Sequence, residues 1–378
     1  MASLQIVKIR GIPIRIHVSF LLILPLFALL FGQAFGAAAQ AADIPSDRLI
    51  GAPWLWGLGL AIALFTSVLI HELAHALYAI RTGGTVRDIT LLMIGGVSRI
   101  EQPPKRSRDE AWMALVGPLS SLLIGGVSLV AAVLLKDARS YNLYFAFFYL
   151  GQLNLFLGVF NLLPAFPMDG GRIVRAVLIK RLGKAQATRV AGNIGKGFAV
   201  LFAVFGAFTF NVILLFIALF VYMGAAAETQ QVLLEESLKG LRVRDVMTRG
   251  SDRVNAAAPV SLILDDMREH RLLALPVVDE TGRVLGMTTL DAIRRLSARQ
   301  RSEAHARDAM SSVQPLDVDE EATEAFKSLV TSRLPSLPVV EGDHLVGTVS
   351  QADLLKTIEL RQPIDRRRRS LRGRQVEA

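Results

Sequence analysis

Apolar residues run almost unbroken through six stretches of the chain, approximately 17 to 38, 54 to 80, 112 to 135, 142 to 163, 190 to 208 and 211 to 227. A helix needs roughly 20 such residues to cross the hydrocarbon of a bilayer, so the pattern predicts six transmembrane helices. Only Thr209-Phe210-Asn211 separates the last two, which predicts a helical hairpin. Ahead of the first run, Leu4 to Ile16 alternates between apolar and polar positions, and no compact small-residue cleavage signal follows a brief apolar core. The first run therefore reads as a retained span rather than a removed leader.

After Leu241 the pattern changes to short alternating runs, and the chain repeats itself. VRDVMT (243 to 248) returns as ARDAMS (306 to 311), and LPVVDETGRVLGMTTLDAI (275 to 293) as LPVVEGDHLVGTVSQADLL (337 to 355). A period of this length, with hairpin signals at Glu280-Thr281-Gly282 and Glu341-Gly342-Asp343 and a helical pattern at Val260 to Arg271, predicts two copies of one small β/α unit. Such copies pack together to bury faces that neither can bury alone.

Composition supports this division: 52% of the 378 residues are hydrophobic and the mean hydropathy is +0.42, too apolar for a wholly water-soluble chain. The net charge of +9 is unevenly placed. Lys8, Arg10 and Arg15 precede the first span, Arg81, Arg87, Arg99, Lys105, Arg106 and Arg108 follow the second, and Arg172, Arg175, Lys180, Arg181, Lys184 and Arg189 follow the fourth. The alternate loops hold only Arg48, or Lys136 and Arg139. By the positive-inside rule both termini are expected in the cytosol, which an even number of spans requires. The run Arg366 to Arg369, with Arg372 and Arg374, suits a basic tail on anionic lipid; no interleaved aromatics support nucleic-acid binding. With no cysteine, disulfides and thiolate metal sites are excluded.

The second span contains VLIHELAHALYAI, residues 68 to 80. Histidines at i and i+4 share a helical face and can reach one Zn²⁺, while the intervening glutamate can take a proton from an attacking water. Five letters alone are a weak signal; within a span, where an ionisable group costs roughly 2.5 kcal/mol or more, they are much stronger. The competing reading is that His71 and His75 are polar packing residues between helices. A third protein ligand is required, and Asp169 is the sole acid between Asp137 and Glu228, at the inner end of the fourth span. Pro164 and Pro167 interrupt helical bonding just before it. Its alternative is a plain Asp-Gly-Gly turn.

HELAH followed by FNLLPAFPMDGGR resembles the site-2 protease family of intramembrane zinc metalloproteases, over roughly residues 1 to 227. The resemblance implies one Zn²⁺ per chain held by His71, His75 and Asp169, Glu72 as catalytic base, and Asn161 near substrate and developing oxyanion. Asn154, seven residues earlier on the same face, extends a polar stripe toward the site or serves interhelical packing. A glycine-containing loop that dips into the membrane is expected at MIGGVSRI, residues 93 to 100, where Gly95 and Gly96 bind unwound substrate by strand addition or form an ordinary turn. The small residues of VGPLSSLLIGG, 116 to 126, are expected to permit close helix packing rather than to do chemistry. No PDZ-like segment separates the spans.

The repeat resembles a tandem of CBS domains over about 241 to 360. Such pairs often bind ATP, ADP or AMP; the Gly-x-x-Ser/Thr-x-x-Asp pattern is complete at Gly347, Ser350 and Asp353, whereas the first copy keeps Gly286 and Thr289 but has Ala292 at the acid position. At most one nucleotide site is expected, and a structural, dimer-forming pair is the alternative.

The expected fold is thus a polytopic α-helical membrane protein with six transmembrane helices and a cytosolic α/β tandem CBS domain. Its parts are a protease domain (1 to 227), a linker (228 to 240), two CBS domains (241 to 300 and 301 to 360) and a basic tail (361 to 378). The expected function is cleavage of a transmembrane protein substrate, such as an anti-sigma factor, in a bacterial inner or plasma membrane, with no nucleic-acid partner. The alternative class is a CBS-regulated transporter or channel whose ion path uses His71, Glu72, His75 and Asp169. The His-x-x-x-His spacing with its adjacent acid favours the hydrolase.

Overall fold

The computed structural model describes residues 3–41, 51–93, 95–102, 104, 106–135, 141–332, 334–358 and 360. Arg48, Lys105, Lys136, Arg139 and the arginine run at 366 to 374 lie outside the described residues. The chain forms two compact units, Met1–Val232 and Leu233–Ala378.

The first unit holds six helices long and apolar enough to cross a membrane: α1 (Val18–Ala41), α2 (Pro53–Arg81), α3 (Ser107–Leu135), α4 (Tyr141–Asn161), then α6 (Lys184–Phe208) and α7 (Val212–Leu238), with the shorter α5 (Asp169–Leu182) between the fourth and fifth. Pro53 at the first helical position of α2 loses no bonded N–H there, and Asp109 and Glu110 place negative charge at the positive end of α3. Large apolar side chains cover the outward faces: Leu22 in α1, Leu123, Val133 and Leu134 in α3, and Ile213 and Phe216 in α7 are all more than half exposed. Surface of that kind is stable only against lipid, so this is a multi-pass membrane protein.

Small residues set the helix spacing. A Cβ on Gly125 of α3 would lie 2.9 Å from the Leu155 amide nitrogen of α4, and one on Gly158 of α4 would lie 3.0 Å from the Pro118 carbonyl oxygen of α3. The two helices therefore touch backbone to backbone. Beyond the apolar stretch 211 to 227, the helix α7 continues to Leu238, because nothing from Ala225 to Leu238 breaks a helix.

The alternating N-terminal residues become β1 (Ser3–Ile9) and β2 (Ile12–His17), turned by Arg10 and Gly11 at φ 48° and 87°, the signs a two-residue I′ hairpin demands. β2 pairs in parallel with β3 (Thr85–Leu92), and β3 antiparallel with β4 (Gly95–Gln102), in sheet order β1-β2-β3-β4. Ile12, Ile14 and Ile89 from this sheet bury against Ala76 of α2, with Leu69, Leu73 and Leu77 packed around them. Residues 95–102 are therefore a strand rather than the loop expected at 93 to 100, since they pair along their length with β3; Ile94 is outside the described residues.

The second unit contains two four-stranded sheets of identical topology. One runs Val254–Asn255, Ala274–Val278, Val284–Thr289, Met310–Ser311; the other runs Leu316–Asp317, Ser336–Glu341, His344–Ser350, Thr248–Arg249. The short strand at the head of each repeat thus completes the sheet of the other copy. The cores follow the same exchange: Leu241, Val243 and Val246 bury with Phe326, Leu337 and Val349, while Ala306 and Ala309 bury with Ile263, Val277 and Ile293. Neither copy has a closed core without the other's leading segment.

Candidate metal centre and active site

His71 and His75 lie one turn apart on α2, 4% and 7% exposed, with ring centroids 4.8 Å apart. Asp169 is the first residue of α5, reached through the tight turn 162–168 that follows α4. Its Oδ2 stands 3.3 Å from Nε2 of His71 and 3.1 Å from Nε2 of His75. The residues on two separate segments thus meet, and their three ligand atoms all fall within 4.8 Å of one another.

The far side of each imidazole is held by α3. Nδ1 of His75 is 2.6 Å from the Met113 carbonyl oxygen, and Nδ1 of His71 is 2.9 Å from Ser121 Oγ. A carbonyl oxygen only accepts, so His75 donates through Nδ1, which turns its Nε2 to the Asp169 carboxylate. Two such atoms at that distance share a cation, either a proton or a metal ion. Two ligands of a tetrahedral Zn²⁺ at about 2.0 to 2.1 Å from the metal are about 3.3 Å apart, close to both contacts found here. Gly117 of α3 leaves the space: a Cβ there would lie 2.1 Å from His75 Nε2 and 2.8 Å from His71 Nε2.

Glu72 is oriented from the sheet. Ser98 of β4 donates its amide N–H to Glu72 Oε2 at 3.1 Å and its hydroxyl to the same oxygen at 2.6 Å. Gly96 lets the strand come this close, since a Cβ there would meet Glu72 Cγ at 2.5 Å. Gly95, at φ 129°, has a backbone that other residues avoid. Asn154 is fully buried and Asn161 partly so; each donates its amide to the carbonyl four residues back, Leu150 and Leu157. Among the described residues neither is hydrogen-bonded to the histidine and aspartate cluster.

Comparison with known proteins decides the family. The profile of Peptidase family M50 matches residues 59–137 and 132–205, and that of the CBS domain matches 243–299 and 306–360. Zinc metalloprotease MJ0392 of Methanocaldococcus jannaschii is 34% identical over 359 residues, covering 95% of this chain and 96% of that protein. The chain belongs to peptidase family M50. Rip3 of Mycobacterium tuberculosis is 30% identical over 93% of this chain and 92% of its own length. Among solved structures, the site-2 protease from M. jannaschii is 38% identical over 60% of this chain and 95% of that one, with a TM-score of 0.42.

An M50 peptidase is a zinc enzyme, and the two imidazole nitrogens and one carboxylate oxygen found here are a donor set of the zinc hydrolase kind. Sequence reasoning missed the supports of that set. The segment 116 to 126 reads in sequence only as a helix spacer, yet Gly117 borders both imidazoles and Ser121 holds His71. Helical periodicity places 117 and 121 on one face, but nothing in the letters says that α2's histidines lie opposite. Replacing Ser121 with alanine should lower zinc affinity by roughly 10- to 100-fold, the usual cost of losing a partner behind a ligand, with thermal stability little changed. Competition with a chromophoric chelator measures it.

In the CBS unit, Gly347, Ser350 and Asp353 do come together. The Asp353 carboxylate accepts from Ser350 N–H at 2.8 Å and Ser350 O–H at 2.6 Å through Oδ2, and from Thr248 O–H at 2.9 Å through Oδ1. A Cβ on Gly347 would meet the Thr248 carbonyl oxygen at 2.3 Å. All three residues thus secure the exchanged strand and the start of the following helix. Thr289 caps the equivalent helix in the first copy by accepting from Ala292 N–H.

Proposed function

We propose that this M50 peptidase hydrolyses a peptide bond in or near a transmembrane helix of a membrane-tethered protein, with His71, His75 and Asp169 as the ligands of one zinc and Glu72 as the catalytic base. The observation that carries this is the convergence of both Nε2 atoms on Asp169 Oδ2 inside a bundle of apolar spans, beside a carboxylate held by β4. When bound there, zinc supplies Lewis acidity that polarises the scissile carbonyl and acidifies water.

The chain's own groups do the rest. Ser98 fixes Glu72 through Oε2, and Oε1 has no hydrogen bond among the described residues. That oxygen takes the proton of the attacking water as the new C–O bond forms, then delivers it to the amide nitrogen as the C–N bond breaks. β4 is the outer strand of its sheet, so an unwound substrate segment can add beside it; Gly95 and Gly96 lie on that edge. With Ser98's amide already given to Glu72, such a segment would run along the catalytic carboxylate. Asn161 is assigned to the substrate side of the site and Asn154 to the stripe above it.

The reading places the protein in a cell membrane with both termini cytosolic, on the basic residues around β1 to β4 and α5. It assigns residues 1–227 to catalysis, 228–240 to a connection that is helical up to Leu238, and 241–300 and 301–360 to the CBS pair, with 361–378 as a basic tail. An anti-sigma factor is one candidate substrate. ATP, ADP or AMP is proposed to act at Gly347, Ser350 and Asp353; the internally satisfied Asp353 carboxylate favours the second reading, a tandem that stabilises a homodimer without nucleotide.

Detergent-purified protein, incubated with a panel of single-span substrates, should cleave at least one. Chelation should stop the reaction and one equivalent of zinc restore it, and adding AMP or ATP tests nucleotide control in the same assay. Ion flux in proteoliposomes, without cleavage of any substrate, would move the chain to the transporter class.

A further inference from the structure

Beyond the cluster that faces the metal, α5 carries two arginines in a place where charge is expensive. Arg175 is 8% exposed and in direct contact with the Glu110 carboxylate of α3; its Nη1 is 3.9 Å from Glu228 Oε1 of α7. Arg172, one turn nearer to Asp169, lies 3.3 Å from the same Glu228 oxygen. Four charges from three helices therefore meet directly behind the first turn of α5.

The cluster is poorly built for stability alone. Nε and Nη1 of Arg175 and Nε of Arg172 are buried with no hydrogen-bond partner. The Arg175–Glu110 pair is buried, and a buried ion pair with unmet donors generally does no better than well-packed apolar side chains of similar size, so stability alone does not account for it. The Arg172–Glu228 pair beside it is only half-buried. What they fix is orientation. Arg172 and Arg175 are three and six residues after Asp169 on a 14-residue helix, so clamping them sets the position and rotation of its first turn.

The turn before Asp169 is fixed by the same group. The Arg175 guanidinium stacks over the Phe166 ring, 5.3 Å from its centroid, and Phe166 is fully buried. On its other side the Phe166 amide donates to the Ala191 carbonyl of α6 at 3.4 Å. Asp169 is thus held from the chain before it and from the helix after it, and Arg175 takes part in both holds.

We propose that Arg172 and Arg175, with their acceptors Glu110 and Glu228, are positioning residues for Asp169: the ion cluster sets the carboxylate on the two imidazoles and so tunes metal affinity. This rests on the reading of Asp169 as a metal ligand.

The test uses the full-length protein in detergent, loaded with Zn²⁺ or Co²⁺, and compares the parent with Glu228→Gln, Glu110→Gln and Arg172→Lys. Zinc affinity by chelator competition should fall roughly 10- to 100-fold in the two glutamine variants, and the visible Co²⁺ absorption should shift as Asp169 moves. Arg172→Lys keeps the charge facing Glu228 and should retain most of the parent's affinity. Unchanged zinc affinity and an unchanged Co²⁺ spectrum in both glutamine variants, whatever happens to the melting temperature, would overturn the proposal. Two separate glutamine variants guard against one that fails to fold. Asp169→Asn separates the two levels: if it binds zinc as tightly as the parent, the ligand assignment is at fault.

Discussion

Changing Glu72 to glutamine should leave one zinc bound per chain and cut proteolysis by at least about 10²- to 10⁴-fold, the range a positioned general base supplies. Glutamine has nearly the shape of glutamate and can still accept the Ser98 bonds through its carbonyl oxygen, so β4 and α2 should stay where they are. What is lost is the capacity to take a proton. Because Glu72 lies outside the cluster of three ligand atoms, its neutralisation should not remove the metal. Zinc by elemental analysis and cleavage of a single-span substrate are measured on the same sample. Loss of metal together with activity would make Glu72 a ligand; retention of both would remove it from the chemistry.

The proposed ligands are legible in the sequence because membranes make polar residues informative. His71, His75 and Asp169 stand out against apolar runs, and helical spacing predicts that both imidazoles share a face. The supports are less legible because each depends on tertiary neighbours. Ser98 is an ordinary serine on a strand, and only the fold of β4 against α2 brings its amide and hydroxyl to Glu72. The Met113 contact uses a carbonyl oxygen, which every residue possesses, so no side-chain pattern could reveal it. In the second unit the repeat reveals two copies, but not that Thr248 and Met310 each begin a strand in the other copy's sheet. Strand exchange leaves the repeat period intact. Asp353 shows the converse: a residue that fits a family pattern for a ligand site also has a complete structural role.

Gly117→Ala should disable the candidate metal site with one added methyl group. The added Cβ would sit 2.1 Å from His75 Nε2, 2.4 Å from His75 Cε1 and 2.8 Å from His71 Nε2, overlapping the atoms proposed to hold the metal. Relief requires either turning the imidazoles away or moving α3. The first abandons the Met113 and Ser121 bonds that aim the rings. The second separates α3 from α4, which meet at Gly125 and Gly158 with almost no slack. Misplacement of reacting groups by about 1 Å costs on the order of 10²-fold in rate, so activity should fall at least that far, with zinc affinity falling alongside. Gly126→Ala is the matched control: it lies on the same helix, nine residues on, and its Cβ would meet nothing within 4 Å. That variant should keep both zinc and cleavage, which separates a steric effect at the site from any general response of α3 to losing a glycine. If Gly117→Ala bound zinc and cleaved substrate like the parent, Nε2 of His71 and His75 could not be the atoms that hold the metal in the arrangement described.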